Sequence, residues 1–252
     1  MVSFSLKDKI ALITGASRGI GKAIALTLAE YGAHCILASR KIDDLKAVEN
    51  KIRETGGKAD SLACHMGDLK QVEALIRGIG DRFGKLNILV NNAATNPHFG
   101  GLLTASEGMW DKTHAVNLKG PFFLIQNAAP LIEASGGGSI VNVASINGIS
   151  PGLNRGIYSI SKAGVIMMTK AYAAELAPKK IRVNALLPGL TETKFAGALF
   201  EDKAIYTEAL KSIPLGRSAK PEEMAGAVLY LVSDASPFTT GACLICDGGR
   251  LI

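Results

Sequence analysis

The stretch that most constrains the fold lies near the start of the chain. Lys9-Ile10-Ala11-Leu12-Ile13-Thr14 is a short, largely apolar run of the kind that forms a strand buried on both faces. It passes directly into Gly15-Ala16-Ser17-Arg18-Gly19-Ile20-Gly21 and then a helical run from Lys22 to Glu30. Strand, glycine turn and helix in this order open a βαβ unit. Such a turn aims backbone N–H groups and a helix N-terminus at one spot beyond the sheet, suited to a pyrophosphate, with glycine wherever a Cβ would block the turn or the approach. Tight βα connections favour glycine in any case, and Gly-x-x-x-Gly-x-Gly differs from the common Gly-x-Gly-x-x-Gly spacing, so the topology follows more firmly than the ligand.

The same alternation continues along the chain. Apolar runs predict strands at His34–Ala38, Ala59–Cys64, Leu86–Val90, Ser139–Ala144, Ile181–Leu187 and Cys243–Asp247. Amphipathic or alanine-rich runs predict helices at Asp43–Glu54, Asp68–Phe83, Glu107–Ala134, Ile157–Leu176 and Pro221–Val232. Strands alternating with helices predict an α/β fold: a single doubly wound Rossmann-type domain over residues 1–252, its mostly parallel seven-stranded sheet covered by helices on both faces. Thr191–Ser212 lacks strand character and ends before Pro214, so a helical lid is expected at about 190–212. Ligands of such sheets bind beyond the carboxyl ends of the strands, where the glycine turn falls.

The second strand ends in Ser39-Arg40-Lys41. An acidic residue there would accept hydrogen bonds from a ribose 2′-hydroxyl, whereas a guanidinium suits a 2′-phosphate. Arg18 in the glycine turn supplies a second cation for the same group. The plainer alternative is that Arg40 belongs to a solvated loop.

With 252 residues, 48% hydrophobic and 20% charged, the chain can fill a large core. Its formal charge is +6, but the lysines and arginines are dispersed, which argues against nucleic acid as a partner. Residues 1–9 contain no apolar signal core, and no window of ~18 residues is apolar and uncharged. The expectation is a cytoplasmic protein that does not span a membrane. Cys35, Cys64, Cys243 and Cys246 lie in apolar segments, as buried thiols do in a reducing compartment. Cys243 and Cys246 would point to opposite faces of one strand, with no second pair to complete a zinc site, so no metal is expected.

Tyr158 and Lys162 are four residues apart at the head of a helix and share one of its faces. A tyrosine titrating near ~10 is a poor acid or base at neutrality, but a fixed cation nearby stabilises its phenolate and lets it shuttle a proton. The bland alternative is a helix with its aromatic residue in the core and its lysine in water. Asn117 stands in mid-helix, where asparagine is unfavourable without a specific partner.

Thr14-Gly-x-x-x-Gly-x-Gly21, Asn91-Asn92-Ala93-Ala94, Asn117, Ser145, Tyr158-x-x-x-Lys162 and Pro188-Gly189, in this order and spacing, resemble the classical short-chain dehydrogenases/reductases over essentially the whole chain. The resemblance implies hydride transfer between a nicotinamide cofactor, here NADP(H), and a carbonyl or alcohol carbon of a small-molecule substrate. It implies that Tyr158 exchanges the proton with the substrate oxygen, that Ser145 hydrogen-bonds that oxygen, that Lys162 lowers the Tyr158 pKa and holds the nicotinamide ribose, and that Asn117 anchors a water chain. Gly15, Ser17, Arg18, Gly19, Ile20 and Gly21 would cradle the pyrophosphate. Ser39 and Arg40 would take the adenosine phosphate, and Asn92, Ala93 and Ala94 the adenosine ribose and neighbouring backbone. Pro188, Gly189, Thr191 and Thr193 would line the nicotinamide side. Relatives commonly place an aspartate after the third strand to bind adenine, where this chain has His65 followed by Met66.

Leu190, Phe195, Leu199, Phe200, Ile205 and Tyr206 of the expected lid, with Phe99, predict a partly apolar substrate wall suited to a ketone, aldehyde or dicarbonyl. A 3-oxoacyl group on an acidic carrier protein is the alternative substrate, and a non-catalytic cofactor-binding scaffold the alternative role. No lysine or arginine occurs between Lys119 and Arg155 to build a docking face for the carrier. The two long helices carry more apolar residues than one core-facing stripe needs, and relatives pair them between subunits, so a homotetramer is expected.

Overall fold

The central strands are apolar on both faces, so the sheet must be covered on both sides. The computed structural model describes residues 2–196 and 203–252. Seven strands form one sheet in the order β3-β2-β1-β4-β5-β6-β7, every neighbouring pair parallel. The strands are β1 Ile10–Thr14, β2 His34–Ser39, β3 Lys58–Ala63, β4 Ile88–Asn91, β5 Gly138–Val143, β6 Ile181–Pro188 and β7 Cys243–Cys246. The helices are α1 Gly19–Glu30, α2 Ile42–Glu54, α3 Leu69–Phe83, α4 Glu107–His114, α5 Gly120–Ala134, α6 Gly156–Leu176, α7 Lys203–Lys211 and α8 Pro221–Val232.

Successive side chains of β1 divide between two cores. Ile10 and Leu12 join Val72 and Leu75 of α3, Leu124 of α5 and Val165 of α6. Ala11 and Ile13 join Ile24 and Leu28 of α1, Leu45 of α2 and Val228 of α8. Each isoleucine, leucine or valine among them that is removed from water contributes roughly 1.5–3 kcal/mol. Sheet growth reverses between β1 and β4, and the crossovers leave to opposite sides there, opening a crevice at the carboxyl ends. Cys243 packs against the first core and Cys246 against the second, and both thiols are free.

Two expected elements differ. Helix α1 begins at Gly19, ahead of the expected Lys22: Arg18 is extended (φ −164°) and Gly19 takes φ +54°, so the glycine turn is itself the start of the helix. The helix expected over Glu107–Ala134 is interrupted by a π-turn at Ala115–Lys119, centred on Asn117. Such widening is commonest where a side chain has a structural or functional role, and here the Asn117 amide is drawn to the backbone of Thr95. Of the expected lid, Lys194–Ala196 forms a single turn and Lys203–Lys211 a helix. Leu199 and Phe200 lie outside the described residues, as does the Ile205 side chain.

Candidate active site

A cleft of about 450 Å³ opens where the strand order reverses. Its floor is the glycine turn. Gly15 has φ +66°, and a Cβ there would stand 2.8 Å from Asn92 Nδ2 and 2.9 Å from the Ala93 Cα. A Cβ on Gly21 would run into the Gly15 carbonyl oxygen. These approaches arise because two loops are laced together. Thr14 Oγ1 accepts from the Asn92 and Ala93 N–H groups at 3.0 and 3.1 Å, and Asn92 Nδ2 donates to the Thr14 carbonyl at 2.9 Å and the Gly15 carbonyl at 3.2 Å. No side chain caps α1 and no acid stands in its first turn, so its leading N–H groups remain available to an anion.

At one end of the cleft Arg18, Ser39 and Arg40 come together with Lys41. Both guanidinium groups are exposed, and among the described residues neither has a hydrogen-bond or ion-pair partner. His65 and Met66 line the same region, with His65 Nδ1 accepting from the Gly67 N–H at 3.0 Å. Ser17, Gly19, Ile20 and Ala94 line the middle. Pro188, Gly189, Thr191 and Thr193 form the opposite wall. The Gly189 N–H donates to the Cys246 carbonyl at 2.9 Å, and a Cβ on Gly189 would lie 2.7 Å from the Asp247 Cα.

Ser145, Tyr158 and Lys162 meet at the far end. Ser145 follows β5, and its Oγ accepts from the Asn147 N–H at 3.1 Å. Burial pushes the Tyr158 phenol up to about 12, against the pull of the Ser145 hydroxyl and the Arg155 charge. Lys162 is not among the groups that lower it. Its Nζ lies 5.7 Å from the centre of the Tyr158 ring and donates instead to the Val143 carbonyl at 2.7 Å, and burial pushes its own pKa down to about 8. In this structure Ser145 and Arg155 oppose a larger effect of burial on the Tyr158 phenol.

Asn117 does not line the cleft but lies buried behind it. Its Nδ2 donates to the Thr95 carbonyl at 2.9 Å and the Ser161 hydroxyl at 3.0 Å, while Oδ1 accepts from the Thr95 N–H at 2.8 Å. Both amide hydrogens are thus engaged, and the side chain has no donor left for a water chain. Ser161 in turn donates to the Tyr158 carbonyl at 2.7 Å, so the bond from Asn117 to Ser161 ties the π-turn to α6 beside Tyr158. Sequence reasoning passed over Ser161, Thr14 and Asn147. Ser161 was legible as a hydroxyl on the turn between Tyr158 and Lys162, whereas the partners of Thr14 lie far along the chain.

A parallel doubly wound sheet with a glycine-turn cradle at its switch point, and a serine, tyrosine and lysine at the cleft's end, is the architecture of a short-chain oxidoreductase. The family model described as enoyl-(acyl carrier protein) reductase matches residues 15–250. The chain belongs to the short-chain dehydrogenase/reductase family. It is 38% identical over 244 residues to dehydrogenase/reductase SDR family member 4 of Mus musculus, covering 97% of this chain and 88% of the relative. It is 41% identical over 247 residues to a 3-oxoacyl-acyl-carrier-protein reductase of Thermotoga maritima, covering 98% and 99%. A gluconate 5-dehydrogenase from Burkholderia cenocepacia, solved in complex with NADP and tartrate, superposes with a TM-score of 0.94 at 34% identity, covering 98% of this chain and 97% of that one.

Proposed function

We propose that the protein is an NADPH-dependent oxidoreductase that reduces the carbonyl of a small molecule to an alcohol. The observation that carries this reading is the convergence of Ser145, Tyr158 and Lys162 at one end of a cleft whose other end holds the unpaired Arg18 and Arg40. The cleft fits a dinucleotide phosphate: Gly15 and Gly21 leave the space a Cβ would fill, and two guanidinium groups without counter-ions suit a 2′-phosphate. When bound, NADPH supplies the hydride. Tyr158 supplies the proton, so that hydride and proton together convert C=O to CH–OH. Burial keeps the Tyr158 phenol protonated at physiological pH, while the Ser145 hydroxyl and the Arg155 charge favour the phenolate it becomes as the proton leaves. Ser145 orients the carbonyl oxygen and stabilises charge developing on it. Lys162, positioned by Val143, holds the cofactor ribose. Asn117 positions Tyr158 through Ser161.

The segment at about 190–212 serves as a lid over the substrate, with Leu190 and Phe195 contributing an apolar wall. The Phe195 ring lies 5.6 Å from that of Tyr158. Screening NADPH consumption across aromatic ketones, dicarbonyls, sugars and acetoacetyl thioesters tests the assignment. Turnover of free carbonyl compounds is the expected result, and activity confined to a carrier-bound thioester would reverse the substrate choice. Turnover with none of them would favour a scaffold.

The protein assembles as a homotetramer through the outer faces of α4, α5 and α6. Trp110, Phe122, Ile160 and Met167 are large apolar side chains exposed on these helices. A monomeric mass by light scattering at micromolar concentration would contradict this.

A further inference from the structure

The substrate end of the cleft carries two arginines that no element of the proton-transfer machinery requires. Arg155 immediately precedes α6, three residues before Tyr158, and Arg250 follows β7 in the turn Gly248-Gly249-Arg250. Both line the same cleft as Tyr158 and Ser145. Among the described residues, neither guanidinium has a hydrogen-bond or ion-pair partner. The Arg155 guanidinium stands over the face of Phe99, with Cζ 5.5 Å from the ring centre.

The acids nearby do not neutralise the pair. Asp247 is occupied by its own turn, accepting from the Gly249 N–H at 2.9 Å and the Leu251 N–H at 3.0 Å. The one carboxylate in the cleft lining among the described residues is Asp44 in α2, beside Arg40 and Lys41 at the adenosine end. Arg155 is half-buried, and its pKa is lowered first by that burial and further by the like charge of Arg250. Its charge also favours the Tyr158 phenolate. Among the described residues no carboxylate pairs with these two cations, which repel one another beside the proton donor. Arg155 is in addition partly withdrawn from water, as a fully solvated surface arginine would not be.

We infer that Arg155 and Arg250 form the recognition site for an anionic group on the substrate, which is thereby a 2-oxo or 3-oxo acid whose carboxylate lies within a bond or two of the reacting carbonyl. This rests on the reductase reading for which carbonyl reacts, but the anion site stands on the two arginines. Guanidinium groups bind carboxylates through paired, charge-assisted hydrogen bonds, which favour the acid over the corresponding neutral ester. The exposed side chains of Phe99, against Arg155, and Leu102, beside Gly156, offer apolar surface next to the pair for an apolar substituent of the substrate.

The test compares benzoylformate with methyl benzoylformate, and acetoacetate with methyl acetoacetate, by kcat/KM for NADPH oxidation. It uses wild type, Arg155→Met and Arg250→Gln, with calorimetry of benzoylformate binding to the NADP-loaded protein. The expected result is a preference for the acids of about tenfold or more, collapsing toward parity in either variant. Arg250 is exposed, so its substitution reads the site even if Arg155→Met fails to fold. Acid and ester reduced equally by wild type, with the ratio unchanged in Arg250→Gln, would overturn the inference while leaving the reductase activity intact. If no carbonyl compound is reduced, the calorimetry decides: benzoylformate binding lost in Arg250→Gln upholds the anion site without the reductase reading, and no binding to wild type overturns the site.

Discussion

Lys162 Nζ donates to the Val143 carbonyl at 2.7 Å, so a buried cation is tied to the end of β5 rather than aimed at the phenol four residues before it. This bond fixes where the ammonium stands beside the cleft. It also places a lysine in surroundings that favour its neutral form, with a pKa pushed down to about 8.

That depression has a consequence for stability with a definite sign. Between about 8 and the ordinary lysine value of 10.5, the unfolded chain holds a proton that the folded chain has released. Stability therefore rises with pH across that window relative to a protein without the lysine. Urea unfolding of wild type and Lys162→Met between pH 7 and 9.5 measures it. The variant loses the bond to Val143 at every pH, so the informative quantity is the slope of the difference. Wild type should gain on the variant as pH rises above about 8, with a ceiling of about 3 kcal/mol over the full window. A flat difference would mean that Lys162 titrates normally.

Cofactor preference provides a second test. Arg18 and Arg40 line the adenosine end of the cleft, and among the described residues neither guanidinium has an ion-pair partner. A charge-assisted contact with a 2′-phosphate is worth about 1.5–3 kcal/mol, or about ten- to a hundredfold in kcat/KM. Wild type should prefer NADPH over NADH by that margin, and Arg40→Asp should erase or invert the preference. Equal use of both cofactors by wild type would refute the assignment.

The sheet was legible because fully buried parallel strands must be short apolar runs, and those from Ile10 to Cys246 all formed within a few residues of their expected bounds. Opposite orientation of Cys243 and Cys246 followed from the two-residue period of a strand alone. The π-turn at Ala115–Lys119 was not legible, since local periodicity runs through it and its cause is a set of bonds from Asn117 to Thr95 and Ser161. In the cleft, motif spacing located the glycine turn, Ser145, Tyr158 and Lys162. It could not show the burial of Tyr158 or the approach of Arg155, which are properties of the folded chain. The pairing of Arg155 with Arg250 was hidden for the same reason: residues far apart in sequence meet only when the ends of β5, β6 and β7 form one rim.

The central claim is that Tyr158 supplies the proton for carbonyl reduction. Its most direct test is Tyr158→Phe, which keeps the ring and removes the hydroxyl, with NADPH binding followed by fluorescence and reduction by single-turnover NADPH oxidation on a substrate from the carbonyl screen. NADPH binding should be retained, with a reduction rate lower by about 10²- to 10⁴-fold, the usual worth of a positioned acid. A variant that binds NADPH and reduces the substrate at the wild-type rate would contradict it.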